Sequence, residues 1–174
     1  MAGLVDHVLT LLPFEPPYME EAGIAATFVG HPVVAEPQAS EAEARAFRLA
    51  HGLVDAPLIL ALPGSRRGEV GRLAPIFGEA LRPVIAAQPN ARIVVVAAGP
   101  VASMVRDLTA RWPGAPVVVD PRDQTVDQAE TTKRAAFKAA DVALAAAGTV
   151  SLELAAAGTP MVIAYDMNWL SRQI

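Results

Sequence analysis

Two short apolar runs, residues 141–147 and 160–165, bracket the stretch Gly-Thr-Val-Ser-Leu-Glu-Leu-Ala-Ala-Ala-Gly-Thr from Gly148 to Thr159. Short apolar runs bounded by glycine and proline predict strands, so the piece reads as strand, turn, helix and strand. Gly148 and Thr149 open the helix, Gly158 stops it, and Pro160 follows. Such a helix start lies at the carboxyl end of a parallel strand, where unpaired N–H groups and the helix dipole favour an anion. A phosphate is the expected occupant.

Thr149 and Glu153 are four residues apart and therefore share one helix face. The capping-box partner of Thr149 would fall at Leu152, which leaves the Glu153 carboxylate free to accept two hydroxyl protons from a vicinal diol. A ribose joined to a diphosphate has that shape. The plainer reading of Glu153 is an acidic residue in a first helical turn, stabilised by the dipole and otherwise solvated.

The alternation extends along the chain. Residues 57–62, 91–98 and 116–120 read as further strands, with helices over about 70–87, 101–112 and 131–140. Leu73, Ile76, Phe77, Ala80, Leu81 and Ile85 repeat at helical spacing in the first of these helices, where Pro83 predicts a kink or an early end. Residues 121–130 are polar and unpatterned and read as a surface loop. Upstream, residues 4–12 read as a buried strand ended by Pro13-Phe14-Glu15-Pro16-Pro17, residues 18–22 as a helical turn, and residues 25–29 as a short strand. Ser40-x-x-Glu43 has capping-box spacing, and Ala42, Ala46, Phe47, Leu49 and Ala50 supply the apolar face of the helix that follows. Regular strand–helix alternation specifies an α/β fold with a doubly wound parallel sheet. A chain that opens on a central-looking strand and ends on helix-like residues 169–174 is expected to belong to a longer polypeptide.

The 174 residues fit one ordinary domain. Although 53% of them are hydrophobic, proline, glycine or charge cuts every apolar run well short of the roughly 20 residues that cross a bilayer. The hydrophobicity is that of strands covered by helices on both faces. With no cysteine there is no disulfide framework and no thiolate metal site, which suits the cytosol. A net charge of −4 gives no support to a nucleic-acid surface.

The loop Gly64-Ser65-Arg66-Arg67 leaves the first strand of this sheet, so it is expected at the same carboxyl edge as Gly148 and Thr149. Gly64 lets the backbone approach a phosphate, Ser65 offers a hydroxyl, and a guanidinium grips phosphate oxygens in a fork. Arg66 is favoured for the ligand and Arg67 for solvent or Glu69. The plainer reading is a solvated basic turn with Ser65 capping the next helix. His31, constrained between Gly30 and Pro32, either points into a cleft or serves as a hydrogen-bonded hinge. No histidine pair has metal-ligand spacing, and Asp120 and Asp123 are not the Asp-x-Asp that holds a divalent ion on a diphosphate, so no metal or cofactor is expected. Phosphate loops of the Gly-x-x-x-x-Gly-Lys type, dinucleotide fingerprints and nucleophile elbows are absent from the sequence.

Four motifs carry a resemblance. They are Leu11-Leu12-Pro13-Phe14-Glu15, Phe28-Val29-Gly30-His31-Pro32, Leu62-Pro63-Gly64-Ser65-Arg66-Arg67-Gly68-Glu69, and Ala140-Asp141-Val142-Ala143-Leu144 continuing through Gly148-Thr149-Val150-Ser151-Leu152-Glu153. In that order, and over nearly the whole chain, they resemble the lipid-A-disaccharide synthases. The last motif by itself is similar to the donor site of many GT-B glycosyltransferases and of related UDP-sugar epimerases.

The resemblance implies an enzyme of Gram-negative outer-membrane biogenesis. It would transfer 2,3-diacylglucosamine from its UDP-activated form to 2,3-diacylglucosamine 1-phosphate, with inversion and without metal, releasing UDP and forming a β-1,6-linked disaccharide. Such enzymes have two Rossmann-like domains. Residues 1–30 are then expected to close the first and lead into the second, with residues 31–174 forming most of the UDP-sugar-binding domain. Gly64, Ser65, Arg66, Gly148, Thr149 and Glu153 would hold UDP, with His31 at the cleft. The resemblance places the general base and the acyl-chain surfaces in the N-terminal half, so no catalytic residue is expected here, whereas Arg66 and the helix start at Gly148 would stabilise departing UDP. It also implies a cytoplasmic protein in peripheral contact with the inner membrane, and a homodimer is one expected assembly. Two positions depart from the family pattern: Ala147 stands where serine is usual, and Asp166 follows Tyr165 where a basic residue is frequent. A UDP-sugar epimerase-like isomerase and an inert nucleotide-binding module are the alternatives.

Overall fold

The computed structural model describes residues 3–166, and the helix expected at 169–174 lies outside them. The chain packs as two units divided after Pro37. In the first, strand β1 (His7–Thr10), helix α1 (Glu15–Glu21) and strand β2 (Ala25–Phe28) follow in order, and the two strands pair in parallel with His7 opposite Ala25. Pro16 and Pro17 fall in the first turn of α1, where the lost N–H had no helical acceptor. The expectation of a buried first strand is overturned: Leu9 is 64% exposed, and Thr10 is the one buried residue of β1. Within this unit, a pair of strands and a single short helix cannot cover both faces of the sheet.

The second unit runs through α2 (Glu41–Ala50), β3 (Leu58–Leu62), α3 (Arg67–Ala87), β4 (Arg92–Val96), α4 (Ala102–Thr109), β5 (Val117–Val119), α5 (Val126–Ala139), β6 (Val142–Ala146), α6 (Thr149–Ala156) and β7 (Met161–Ala164). Its five strands are all parallel, in the order β5-β4-β3-β6-β7. Strand β3 is buried throughout and stands at the centre, with Ile59 opposite Ile93 of β4 and Val142 of β6. Its side chains alternate between two cores, as the period of a strand requires. Leu58, Leu60 and Leu62 pack with Phe47, Phe137 and Leu154 from α2, α5 and α6. Ile59 and Ala61 pack with Val70, Leu73, Phe77 and Val105 from α3 and α4. The chain therefore winds to one side from β3 and to the other from β6, so the topological switch lies between these two strands. This is the expected doubly wound sheet.

Local expectations were corrected at three places. Helix α3 continues through both Pro75 and Pro83, so the early end expected at Pro83 does not occur. Both prolines are exposed, and each leaves the carbonyl four residues before it, at Gly71 and Glu79, without its helical N–H donor. Residues 121–130 are not a plain loop: α5 starts at Val126 behind a capping box in which Thr125 Oγ1 accepts from Gln128 N–H at 3.3 Å and Gln128 Oε1 accepts from Thr125 N–H at 3.0 Å. The capping box of α2 is formed as expected, but the buried face is Ala44 and Phe47, while Leu49 is 72% exposed. Arg48 helps set that rotation, since its guanidinium donates to the carbonyls of Ala139, Ala56 and Leu53 and to Asp141. Among the described residues no helix is long and apolar enough to cross a membrane.

Candidate functional site

Leu62 stands opposite Ala145, so the carboxyl ends of β3 and β6 are adjacent and the loops leaving them meet. They border a cleft of about 350 Å³ lined by Gly64, Ser65, Arg66, Gly148, Thr149 and Glu153. That volume is within the range of small-ligand sites. The six residues expected to hold UDP are thus brought to one cavity. Arg67, the first residue of α3, is not among its lining residues. His31 belongs to the first unit, where its Nδ1 accepts from Val33 N–H at 3.2 Å and caps the 3-10 turn Pro32–Ala35.

Gly64 sits at φ +119°, and a Cβ there would collide with the carboxylate of Glu69. Glu69, in the first turn of α3, accepts from Ser65 N–H at 3.0 Å and so fastens the loop to the helix. Ser65 is therefore not the helix cap. Arg66 holds that position without a side-chain capping bond, and its side chain is exposed at the cleft.

At the second corner Gly148 adopts φ +149° and ψ −163°, a conformation that glycine alone enters readily. Ser151 N–H donates to Gly148 O at 3.1 Å, while the N–H groups of Thr149 and Val150 have no intrahelical acceptor and carry the positive end of the dipole. The far end of α6 is closed by Gly158 at φ +74°: Gly158 N–H donates to Ala155 O and Thr159 N–H to Leu154 O, each at 3.0 Å. Buried Thr159 also donates its hydroxyl to Phe137 O at 2.7 Å. With both ends fixed, α6 holds Glu153 in register with Thr149.

The Glu153 carboxylate is not free of protein partners, contrary to the reading from spacing. Lys133 of α5 places Nζ 3.3 Å from Glu153 Oε2 and 2.8 Å from Glu130 Oε2. Burial pulls the Lys133 ammonium down, but its hydrogen bond to Glu130 and the charges of Glu153 and Glu130 outweigh that and hold its pKa above the ordinary lysine value. Lys133 lines the same cleft and was missed because the reading of residues 131–140 as a helix does not say which of its side chains faces the sheet edge. Thr125-x-x-Gln128 was the signal that this helix begins earlier, at Val126. Leu62, Val96, Ala97, Phe137 and Val150 supply apolar lining. The cavity thus offers the Arg66 guanidinium, the helix start after Gly148, two glycine corners, a carboxylate paired with Lys133, and an apolar wall.

Two acidic positions noted in the sequence lie outside the lining. Asp120 accepts from Arg122 and Arg106, and the Arg122 hydrogen bond holds its carboxyl well below the usual range despite burial. Asp166 Oδ2 lies 4.0 Å from Arg72 Nε. Among the described residues no group of three or more His, Asp or Glu side chains is arranged to hold a metal ion.

The family model described as lipid-A-disaccharide synthetase matches residues 1–174. The lipid-A-disaccharide synthase of Ruegeria pomeroyi is 63% identical over 174 residues, which is 100% of this chain and 43% of that protein. The chain spans about two-fifths of the length of the curated relatives it matches. A putative UDP-N-acetylglucosamine 2-epimerase from Listeria monocytogenes superposes with a TM-score of 0.63 at 15% identity, over 94% of this chain and 43% of that one. Anabaena HepE, solved in complex with UDP-glucose, gives a TM-score of 0.56 at 13% identity over 98% of this chain and 47% of that one. Identities this low speak to the fold alone, and they agree with a Rossmann-like sheet of the GT-B kind. Since the family match runs the length of the chain and a relative shares well over half of its residues, the chain belongs to the lipid-A-disaccharide synthetase family.

Proposed function

We propose that the cleft between the β3 and β6 corners binds the UDP portion of a UDP-sugar donor. The observation that carries this is the convergence of Gly64–Arg66 and Gly148–Glu153 on one cavity. In this reading the α6 start and Arg66 meet the diphosphate, the positive φ of Gly64 and Gly148 lets the backbone come close to it, and Glu153 accepts from the ribose hydroxyls.

A protein of the relatives' full length then transfers 2,3-diacylglucosamine from its UDP form to 2,3-diacylglucosamine 1-phosphate, with inversion. The acceptor 6-hydroxyl oxygen forms the new bond to the anomeric carbon as the bond to the UDP oxygen breaks. Arg66 and the helix start stabilise the charge gathering on departing UDP, and the base that takes the acceptor proton comes from outside this chain. Residues 31–174 act as the donor-binding part and residues 1–30 as the close of a preceding domain. Acylated substrates give the enzyme its reason for peripheral contact with the cytoplasmic face of the inner membrane.

Calorimetric titration with UDP and with uridine tests the reading. UDP binds more tightly than uridine, and Arg66→Ala removes roughly 10- to 100-fold of the UDP affinity while leaving uridine unchanged, the worth of one charge-assisted contact. Equal binding of UDP and uridine, or an Arg66→Ala variant with unchanged UDP affinity, would overturn it. The 174-residue chain alone forms no disaccharide.

A further inference from the structure

Lys133 is the feature of the cleft that the spacing of the motifs did not anticipate. Its side chain is 26% exposed and that of Glu153 is 23% exposed, so the pair is largely withdrawn from water. A carboxylate on an exposed-edge helix with no cation beside it is free to turn outward to water. Glu130, one turn back on α5, fixes the ammonium at 2.8 Å, and the ammonium in turn holds Oε2 of Glu153 from the neighbouring helix. No protein group among the described residues engages Glu153 Oε1 at hydrogen-bond distance. Recognition of a diol needs the carboxylate in one orientation, because two hydroxyls must donate to it together.

We propose that Lys133 is a positioning residue: anchored by Glu130, it holds the Glu153 carboxylate turned into the cleft, with Oε1 left to accept from a ribose diol. The proposal rests on the nucleotide reading above and adds to it a residue that the ligand does not contact through the phosphates. The raised pKa of Lys133 agrees with it, since the lysine is a full cation at neutral pH.

The test compares UDP with 2′,3′-dideoxy-UDP, which lacks the diol, by calorimetric titration of the chain. The wild type prefers UDP by about tenfold, the worth of one charge-assisted hydrogen bond. Lys133→Met and Lys133→Gln abolish the preference while binding the dideoxy compound as the wild type does, and Lys133→Arg restores it. Circular dichroism of each variant checks that the fold is kept. Either neutral variant retaining the wild-type preference, or binding UDP more tightly than the wild type, would refute the positioning role alone. A wild type that does not distinguish the two nucleotides would remove the ribose contact of Glu153 itself, and the proposal with it.

Discussion

Replacing Gly64 with alanine tests whether the first corner is held as described. Two costs are worked from the structure. A residue with a Cβ at φ +119° is held in a sparsely populated region, at about 1–3 kcal/mol. The new Cβ also displaces the Glu69 carboxylate from Ser65 N–H, a bond at the protein surface that contributes about 1 kcal/mol. Together these give about 2–4 kcal/mol, or a fall in Tm of about 4–16 °C for a protein of this size. Thermal and urea unfolding of Gly64→Ala, Glu69→Ala and the double variant separate the terms. Because Gly64→Ala has already broken the Ser65–Glu69 bond, the double variant is no less stable than Gly64→Ala, and the two effects fail to add by about 1 kcal/mol. Strictly additive effects would refute the claim that the glycine makes room for Glu69. A neutral Gly64→Ala would refute the strain as well.

Other measurements probe what holds the scaffold beneath the site. Asp120, whose side chain is 9% exposed, has its pKa depressed chiefly by the Arg122 hydrogen bond, so its stabilising effect is complete above an unfolded value near 3.9 and is lost as pH falls below about 4. Asp120→Asn therefore lowers stability at pH 7 by about 1–3 kcal/mol and flattens the decline between about pH 4 and pH 2 in urea titrations. Ser40→Ala breaks the α2 capping box and costs about 1 kcal/mol in the same assay. Phe77→Ala empties a position 1% exposed beneath α3, beside Trp112 at a 6.5 Å ring separation, and lowers stability by about 3–5 kcal/mol with a change in Trp112 fluorescence.

The sheet and its two corners were legible in the sequence because each was written locally. Buried parallel strands appear as unbroken apolar runs, and the glycines at 64, 148 and 158 mark positive-φ positions that few other residues enter. Helix faces were less legible. Ile76 and Leu49 fit a helical period yet are 49% and 72% exposed, because periodicity cannot say how a helix is rotated against its neighbours. In α2 the side chain turned partly inward beside Phe47 is Arg48, which satisfies carbonyls from distant segments.

The sequence by itself determined which strands and turns form, and that two anion-favouring helix starts follow two of those strands. Their shared rim depends on β3 and β6 being neighbours, although more than seventy residues separate them in sequence. Tertiary structure alone decided that Lys133 of α5 reaches Glu153 of α6 and that Glu69 fills the space above Gly64. The physical reason is one of range. Backbone conformation is fixed by sterics within a few residues, whereas the charge pairs of the site join elements whose relative placement is set by the packing of the whole sheet.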